Sequence, residues 1–349
     1  MIWLSLCRLT NVLILLAVVI ASMAFSPHVV AGDPVTLRMI TWMPARLMPY
    51  TILQEWADEI RKASGGSLTV SIDPKPTTKA PQQYDLIKAG KGDLAFIIPA
   101  YTADRFPMLL AAELPFLSPN VEDGSQALWE WYSAHIGDKE FGPVKLLTLW
   151  LPGAGVLHSK REIKTLEDIK GLKIRVPGGT SYDVAKALGG IPVALPSTKQ
   201  MESLQQGVTE ATITGWNAVK NFRLETVLKY HLEAPKGSLY TAPLIVGINR
   251  EKFASLSPAH QAVLEKLGGA FGAVFLSKRW NAVTREARAA IKAQGNVIQV
   301  ADQTEYARWR EQLAPLEAQW VSTANAKGYD GAALLKDLKA TMKKYADRS

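Results

Sequence analysis

One pattern constrains this chain more than any other: an order of strand and helix signals that occurs twice, with a shared local signature at a fixed offset. Ile87-x-x-Gly90-x-x-Asp93-Leu94-Ala95-Phe96 matches Leu204-x-x-Gly207-x-x-Glu210-Ala211-Thr212-Ile213, displaced by 117 residues. Around the first copy, Val35, Leu37, Met39 and Thr41 alternate with their neighbours as a strand does. Ile52, Leu53, Trp56 and Ile60 then keep helical spacing until Gly65-Gly66. Leu68, Val70 and Ile72 alternate again. Pro81 suits a first helical turn, and Gly90 ends that helix. Leu94 to Ile98 is the fully apolar run of a buried parallel strand. Around the second copy, Thr165 and Asp168 form a capping-box pattern ahead of a strand from Leu172 to Val176. Thr180 to Leu188 reads as helix and Ile191 to Leu195 as strand. Ser197 and Gln200 form a second capping-box pattern before a helix ending at Gly207, and Glu210 to Thr214 completes the set as strand. Two βαβαβ units predict an α/β fold of two domains, each a largely parallel sheet covered by helices.

The remainder of the chain predicts how the two units are joined. Leu244 to Ile248, after Pro243, reads as a strand returning to the first unit. Pro258 opens a helical stretch reaching Gln294, weakened by Gly268, Gly269 and Gly272. Continuous, it is about 55 Å long, more than one small domain, so it is expected to span both. Helical segments follow at Thr304 to Lys327, with a kink expected at Pro315, and at Ala332 to Tyr345. The expected division is residues 32–156 with 243–280 as domain I, and 157–242 with parts of 281–349 as domain II.

The first 31 residues read differently. Val12 to Phe25 is an almost unbroken apolar run of about 14 residues, short of the roughly 20 that span a bilayer. It follows a short segment carrying Arg8 and precedes Val29-Val30-Ala31, so residues 1–31 are expected to be a secretory leader cut after Ala31. The mature chain is then expected in the periplasm, with no stable membrane insertion. Cys7 is the only cysteine and lies within the leader, which excludes disulfides and cysteine nucleophiles from the mature chain. Losing Arg8 lowers the formal charge of +8 by one, to +7. Lysines and arginines are dispersed, without a basic run interleaved with aromatics, so no nucleic-acid partner is expected.

Chemistry of the catalytic kind finds no support. His135, His158, His231 and His260 form no metal-ligand pair at helical spacing. G-x-S-x-G, the phosphate-binding G-x-x-x-x-G-K-[ST] and G-x-G-x-x-G after a strand are all missing. No enzyme activity, metal or cofactor is therefore assigned. Binding has a better footing, because open parallel sheets take ligands outside the carboxyl ends of their strands. Those ends carry Trp42, Tyr101, Arg175 to Ser181, and Gly215-Trp216-Asn217. Arg175 sits inside a strand, and its planar fork suits a carboxylate. That carboxylate is either a ligand's or that of a structural Asp or Glu. Gly178 to Ser181 leads into a helix whose free amides add an anion contact, and Ser181 lies among them. Trp216 and Tyr101 are expected as apolar walls, or as ordinary core, with Asn217 supplying hydrogen bonds.

Taken in order, these residues resemble a known family. Leu166 to Gly179 (LEDIKGLKIRVPGG), Lys186 to Val193 (KALGGIPV) and Leu204 to Val208 (LQQGV) are similar to the solute receptors of tripartite ATP-independent periplasmic (TRAP) transporters. Pro81 to Asp85, Gly92-Asp93, Tyr101 to Pro107, Glu113 to Phe116, Glu225 and Lys229 to His231 resemble one branch of it, so the likeness covers essentially the whole mature chain. The resemblance implies a two-domain periplasmic-binding-protein fold with crossing strands and a long helix spanning both domains. It also implies closure around a small organic acid and delivery to the membrane permease subunits. The family's carboxylate-binding arginine falls on Arg175. Two departures stand out. Many members carry another arginine where this chain reads Leu151-Pro-Gly-Ala-Gly-Val-Leu-His158, and many have asparagine and proline where it has Thr214-Gly215. Trp216, Asn217 and Arg105 are the candidate substitutes. A receptor for an ATP-driven importer, a ligand-sensing partner of a membrane sensor, or an exported enzyme on the same fold are the rival readings.

Overall fold

The computed structural model describes residues 34–118 and 120–348; the expected leader, its cut after Ala31 and Cys7 lie outside them. In the first βαβαβ unit, strand β1 (Val35–Ile40) leads to helix α1 (Met48–Ala63), β2 (Leu68–Ile72), α2 (Gln83–Lys88) and β3 (Leu94–Ile97). Two short 3-10 helices, Pro99–Arg105 and Leu109–Glu113, then lead to α3 (Val121–His135) and β4 (Val144–Trp150). The second unit begins with β5 (Val156–Ser159) and continues through α4 (Leu166–Ile169), β6 (Lys173–Val176) and α5 (Thr180–Ala187). It is completed by β7 (Ile191–Ala194), α6 (Gln200–Gln205), β8 (Ala211–Thr214), α7 (Trp216–Asn221) and β9 (Tyr230–Glu233). After β10 (Leu244–Asn249) come α8 (Arg250–Ala254), α9 (Pro258–Leu267), α10 (Gly269–Ala293) and β11 (Val297–Val300). Helices α11 (Gln303–Leu313), α12 (Pro315–Ala326) and α13 (Gly331–Ala346) end the described chain.

Two sheets result, ordered β2-β1-β3-β10-β4 and β11-β9-β5-β8-β6-β7. The inner order β2-β1-β3 is repeated as β7-β6-β8, and both triplets are parallel, as the duplicated pattern predicted. The expectation of largely parallel sheets needs correction beside them. β10 runs antiparallel to β3 and β4, and β5 runs antiparallel to β8 and β9. The cause is connectivity: the chain crosses from one sheet to the other at residues 151–155 and returns at 234–243. A strand entering from the opposite domain has no crossover helix to turn it parallel. Buried on both faces, β3 and β10 read as the near-continuous apolar runs that made them legible.

The long helix is interrupted. Gly268 has non-helical dihedrals (φ −84°, ψ −142°), so the stretch from Pro258 is a 10-residue helix followed by one of 25 residues, about 38 Å long. The indole N–H of Trp56 donates to the Leu267 carbonyl at 2.7 Å and the Thr148 hydroxyl to that of Gly269 at 3.0 Å, satisfying groups at the break. Helix α10 still joins both halves. Leu276 and Trp280 pack in the first sheet's core with Phe96 and Trp150, while Ala287 and Ile291 pack with Leu204, Trp216 and Leu228 beside the second sheet. Two local expectations also change. Pro315 opens a new helix rather than kinking one. Ser197 and Gln200 form no capping box: the Gln200 amide donates to the Ser197 carbonyl (3.2 Å), and Ser197 starts a 3-10 turn. At Thr165 the pattern holds, with the Asp168 carboxylate accepting from the Thr165 N–H at 3.1 Å. Among the described residues no helix is long and apolar enough to cross a membrane.

Candidate ligand-binding cleft

The carboxyl ends of β1, β3, β6 and β8 face one cavity between the sheets, closed at the back by the two crossing segments. It encloses about 740 Å³ of atom-free space, its mouth included. Trp42, Ile98, Tyr101, Arg175, Thr214 and Asn217 line it, each within a few residues of a strand end. Pro152, Gly153 and Gly155 come from the outgoing crossing, and Tyr240 and Ala242 from the returning one. The crossings touch, the Gly155 N–H donating to the Tyr240 carbonyl at 2.9 Å. A Cβ on Gly155 would stand 2.6 Å from the Tyr240 ring and 2.8 Å from its carbonyl, so only glycine lets them meet this closely. The departure from the family at Leu151 to His158 thus has a structural form: bare backbone, with no cation, forms that wall.

Arg175 is 1% exposed. Its Nε (2.8 Å) and Nη2 both donate to the Leu195 carbonyl, which satisfies one edge of the guanidinium. Among the described residues, no Asp or Glu forms an ion pair with it; its electrostatic neighbours are the phenols of Tyr101 and Tyr240. Burial lowers its proton affinity from the ordinary arginine value, the mark of a cation taken out of water without a counter-charge. Of the two readings open from sequence, a structural Arg–Asp/Glu pair does not form among the described residues. The Tyr101 hydroxyl also reaches across the cleft, donating to Ser197 Oγ at 3.1 Å and accepting from the Ser197 N–H at 3.0 Å. These bonds tie the first sheet's side of the cleft to the second's.

The rest of the cavity is apolar and flat-walled. Trp42 stacks on Phe96 (5.9 Å between centroids, 19°) and meets Tyr101 edge-on (6.4 Å, 77°). Phe96 is in turn tilted against Trp280 at 6.2 Å, and Phe222 faces the same space. Such pairs are each worth about 0.5–1.5 kcal/mol beyond their buried area, which makes these walls stiff. Asn217 is oriented by its partners. With the carboxamide assigned by its neighbours, its oxygen accepts from the Trp280 indole N–H (3.2 Å) and the Ala218 N–H (3.3 Å). Its NH2 is left to donate at the cavity wall.

Arg175, Asn217, Tyr101 and Trp42 are therefore brought together, and three other expected residues are not. Trp216 points away from the cavity: its indole N–H donates to Glu233 Oε1 at 2.9 Å, and its ring packs on His158 (4.9 Å) and His231 (4.8 Å). As the first residue of α7 it faces away from the side Asn217 takes, because successive helical positions turn by about 100°. Arg105 pairs with Asp85 at 2.9 Å and lies 4.1 Å over the Tyr84 ring, on the outer side of its 3-10 helix. Ser181 is fully buried, its hydroxyl donating to the Gly178 carbonyl, and the amides opening α5 are occupied by the protein's own Glu113. Sequence reasoning missed Phe96, Phe222, Tyr240 and Trp280 as walls. Phe96 carried a signal, its place next to the last residue of β3; the others arrive from distant segments.

Behind Thr214 lies a buried histidine pair whose tautomers follow from its bonds. His158 Nε2–H donates to the Thr214 carbonyl (3.1 Å), so its Nδ1 accepts from His231 Nδ1–H at 2.7 Å. His231 Nε2 then accepts from the Asn296 amide at 3.1 Å. Burial pushes His231 down to about 4 and His158 well below the usual histidine range, so both are neutral.

Comparison with known proteins agrees with this architecture. Residues 41–323 match the family model described as bacterial extracellular solute-binding protein, family 7. A TRAP periplasmic solute-binding protein from Bordetella bronchiseptica, solved with bound (R)- and (S)-mandelate, superposes with a TM-score of 0.85 at 32% identity, covering 89% of this chain and 99% of that one. One from Rhodoferax ferrireducens, in complex with copurified benzoate, gives 0.85 at 30% identity over 90% and 99%. Among curated sequences, a solute-binding protein of Albidiferax ferrireducens is 28% identical over 51% of this chain and 53% of its own length. The match thus spans about half of that relative. The 2,3-diketo-L-gulonate-binding periplasmic protein YiaO of Escherichia coli is 26% identical over 60% and 65%. With two sheets joined by crossing strands and a buried arginine at a strand end facing the cleft, this chain belongs to bacterial extracellular solute-binding protein family 7, among the TRAP periplasmic solute-binding proteins.

Proposed function

We propose that this protein is an exported receptor that closes its two domains around a small aromatic monocarboxylate and hands it to a TRAP-type permease. The observation that carries the reading is Arg175, a buried cation with no carboxylate partner among the described residues, in a cavity whose other lining residues are uncharged. A lone cation in low dielectric costs several kcal/mol, and an anionic ligand recovers that cost through a desolvated, charge-assisted pair. One cation matches one carboxylate. The bare backbone at Pro152 to Gly155 offers no second charge to a dicarboxylate, and the rings of Trp42, Phe96, Phe222 and Trp280 suit a flat apolar body. The relatives solved with mandelate, benzoate and 3-hydroxybenzoate, at 32%, 30% and 28% identity, support the aromatic acid. Asn217 supplies the second donor to the anion in place of the family's missing groups. The crossings at residues 151–155 and 234–243 act as the hinge, and ligand energy biases a two-state equilibrium toward the closed form the permease recognises.

Binding is stoichiometric, without turnover, and the leader is removed near Ala31 on export. Calorimetry of the mature chain with benzoate, mandelate and 3-hydroxybenzoate, set against succinate and a sugar acid, tests the reading. Saturable one-to-one binding of the aromatic acids and recovery of each unchanged are expected. Binding of succinate or the sugar acid with none of the aromatic acids overturns it.

A further inference from the structure

The turn between Arg175 and α5 is held by a carboxyl from the other half of the molecule. Glu113 ends the 3-10 helix Leu109–Glu113, in the stretch between β3 and α3, and is fully buried. Its Oε2 accepts from the Thr180 N–H at 2.9 Å and from the Ser181 N–H, while Oε1 has no partner among the described residues. Gly178 and Gly179 adopt left-handed φ of +125° and +58°. A Cβ on Gly178 would sit 2.6 Å from the Ala100 carbonyl, and one on Gly179 2.7 Å from Glu113 Oε2. The second sheet's ligand-facing turn is thus pressed against the segment that carries Tyr101 and against Glu113. The titratable groups around this contact are Tyr240, with Arg175 beyond it, and Asp104, Tyr182 and Asp183 along the groove outside the turn. Arg105 is turned away to Asp85, and no cation pairs with Glu113 among the described residues.

We propose that Glu113 is a protonatable latch between the two domains: its carboxyl takes up a proton from solvent as the cleft closes on its anion and returns it on opening. The inference rests on the proposed receptor function for the closing event only. An unpartnered oxygen on a buried carboxylate costs the desolvation of a charge, whereas on a neutral carboxyl it costs at most one hydrogen bond. Burial accordingly pushes Glu113 up to about 8 in this arrangement, in which Tyr101 bonds Ser197 across the cleft. The closed state therefore holds the proton more tightly, so closure is favoured below that value and weakened as pH rises through it.

Calorimetry of benzoate binding to the full mature chain, in buffers of unlike ionisation enthalpy, reads the proton directly. Uptake of about one proton at pH 7 and an affinity loss of about tenfold between pH 7 and pH 9 are expected. Glu113→Gln, which keeps an acceptor for the two amides, should bind without uptake and with a flat profile over that range. Binding without proton uptake in the native chain overturns the latch and leaves the receptor function standing. If no aromatic acid binds, the function fails, and infrared titration of the mature chain held closed by a short thiol cross-linker between Tyr101→Cys and Ser197→Cys decides the latch. A protonated-carboxyl band titrating near 8 and absent from Glu113→Gln supports it, and no such band overturns it.

Discussion

Replacing Arg175 with methionine should separate ligand affinity from stability, because the two pull in opposite directions at this residue. The guanidinium is 1% exposed, bonds through Nε and Nη2 to the Leu195 carbonyl, and faces no acidic side chain among the described residues. In the empty receptor the buried unpaired charge costs several kcal/mol, offset by hydrogen bonds to the carbonyl worth about 1.5–3 kcal/mol. Arg175→Met removes the charge and leaves one orphaned carbonyl, at about 1–3 kcal/mol. The unliganded variant should therefore unfold in urea at a concentration equal to or above that of the native chain. The ligand loses its only cation, and truncating one side of a desolvated charge pair costs about 2–5 kcal/mol, roughly 30-fold to 5,000-fold in Kd. Urea unfolding with and without saturating benzoate, paired with calorimetry, reads both quantities on one preparation. The native chain should be stabilised by benzoate and the variant should not. A loss of more than about 3 kcal/mol in the unliganded variant would show that Arg175 holds the fold through an anion of the protein itself. That outcome, or undiminished benzoate affinity, would refute the reasoning.

Two further perturbations test the surroundings of the site. Gly155→Ala drives a Cβ into the Tyr240 ring and carbonyl, so thermal unfolding should show a loss of about 1–3 kcal/mol together with weaker benzoate binding; a neutral effect on both would mean the crossings are not in register as described. The histidine pair predicts acid sensitivity. His231 is held down at about 4 in the fold against an ordinary value near 6.5, so its stabilisation is complete above 6.5 and is lost as pH falls through 6.5 toward 4. Urea unfolding at pH 7 and pH 5 should show about 2 kcal/mol lost to this residue, and His231→Gln should shrink the drop by that amount. An equal drop in both chains would place the acid-sensitive groups elsewhere.

Local sequence carried most of the framework. Alternation at Val35 to Met39, the apolar runs of β3 and β10, and the capping box at Thr165 and Asp168 are properties of a few adjacent residues, and each appears where its pattern lies. Strands β5, β9 and β11 left no such mark: β5 and β9 sit among polar neighbours and β11 lies at a sheet edge with its residues half in water. The break at Gly268 was visible as a weakness but not as a stop, because the groups that satisfy it, Trp56 and Thr148, lie far away in the chain.

By itself the sequence determined two βαβαβ units and an arginine at a strand end, since period and parity are local and a duplicated pattern can close into only a few topologies. It did not determine which way the groups at those strand ends would face. Trp216 went to Glu233 and the histidines, and the amides ahead of α5 went to Glu113. Arg175 was left without a carboxylate among the described residues. Those outcomes depend on which distant segments meet, and a buried polar group is satisfied by whatever partner the packing brings within about 3 Å. Only the tertiary structure decides that, and it left Arg175, buried and without a carboxylate among the described residues, facing the cleft.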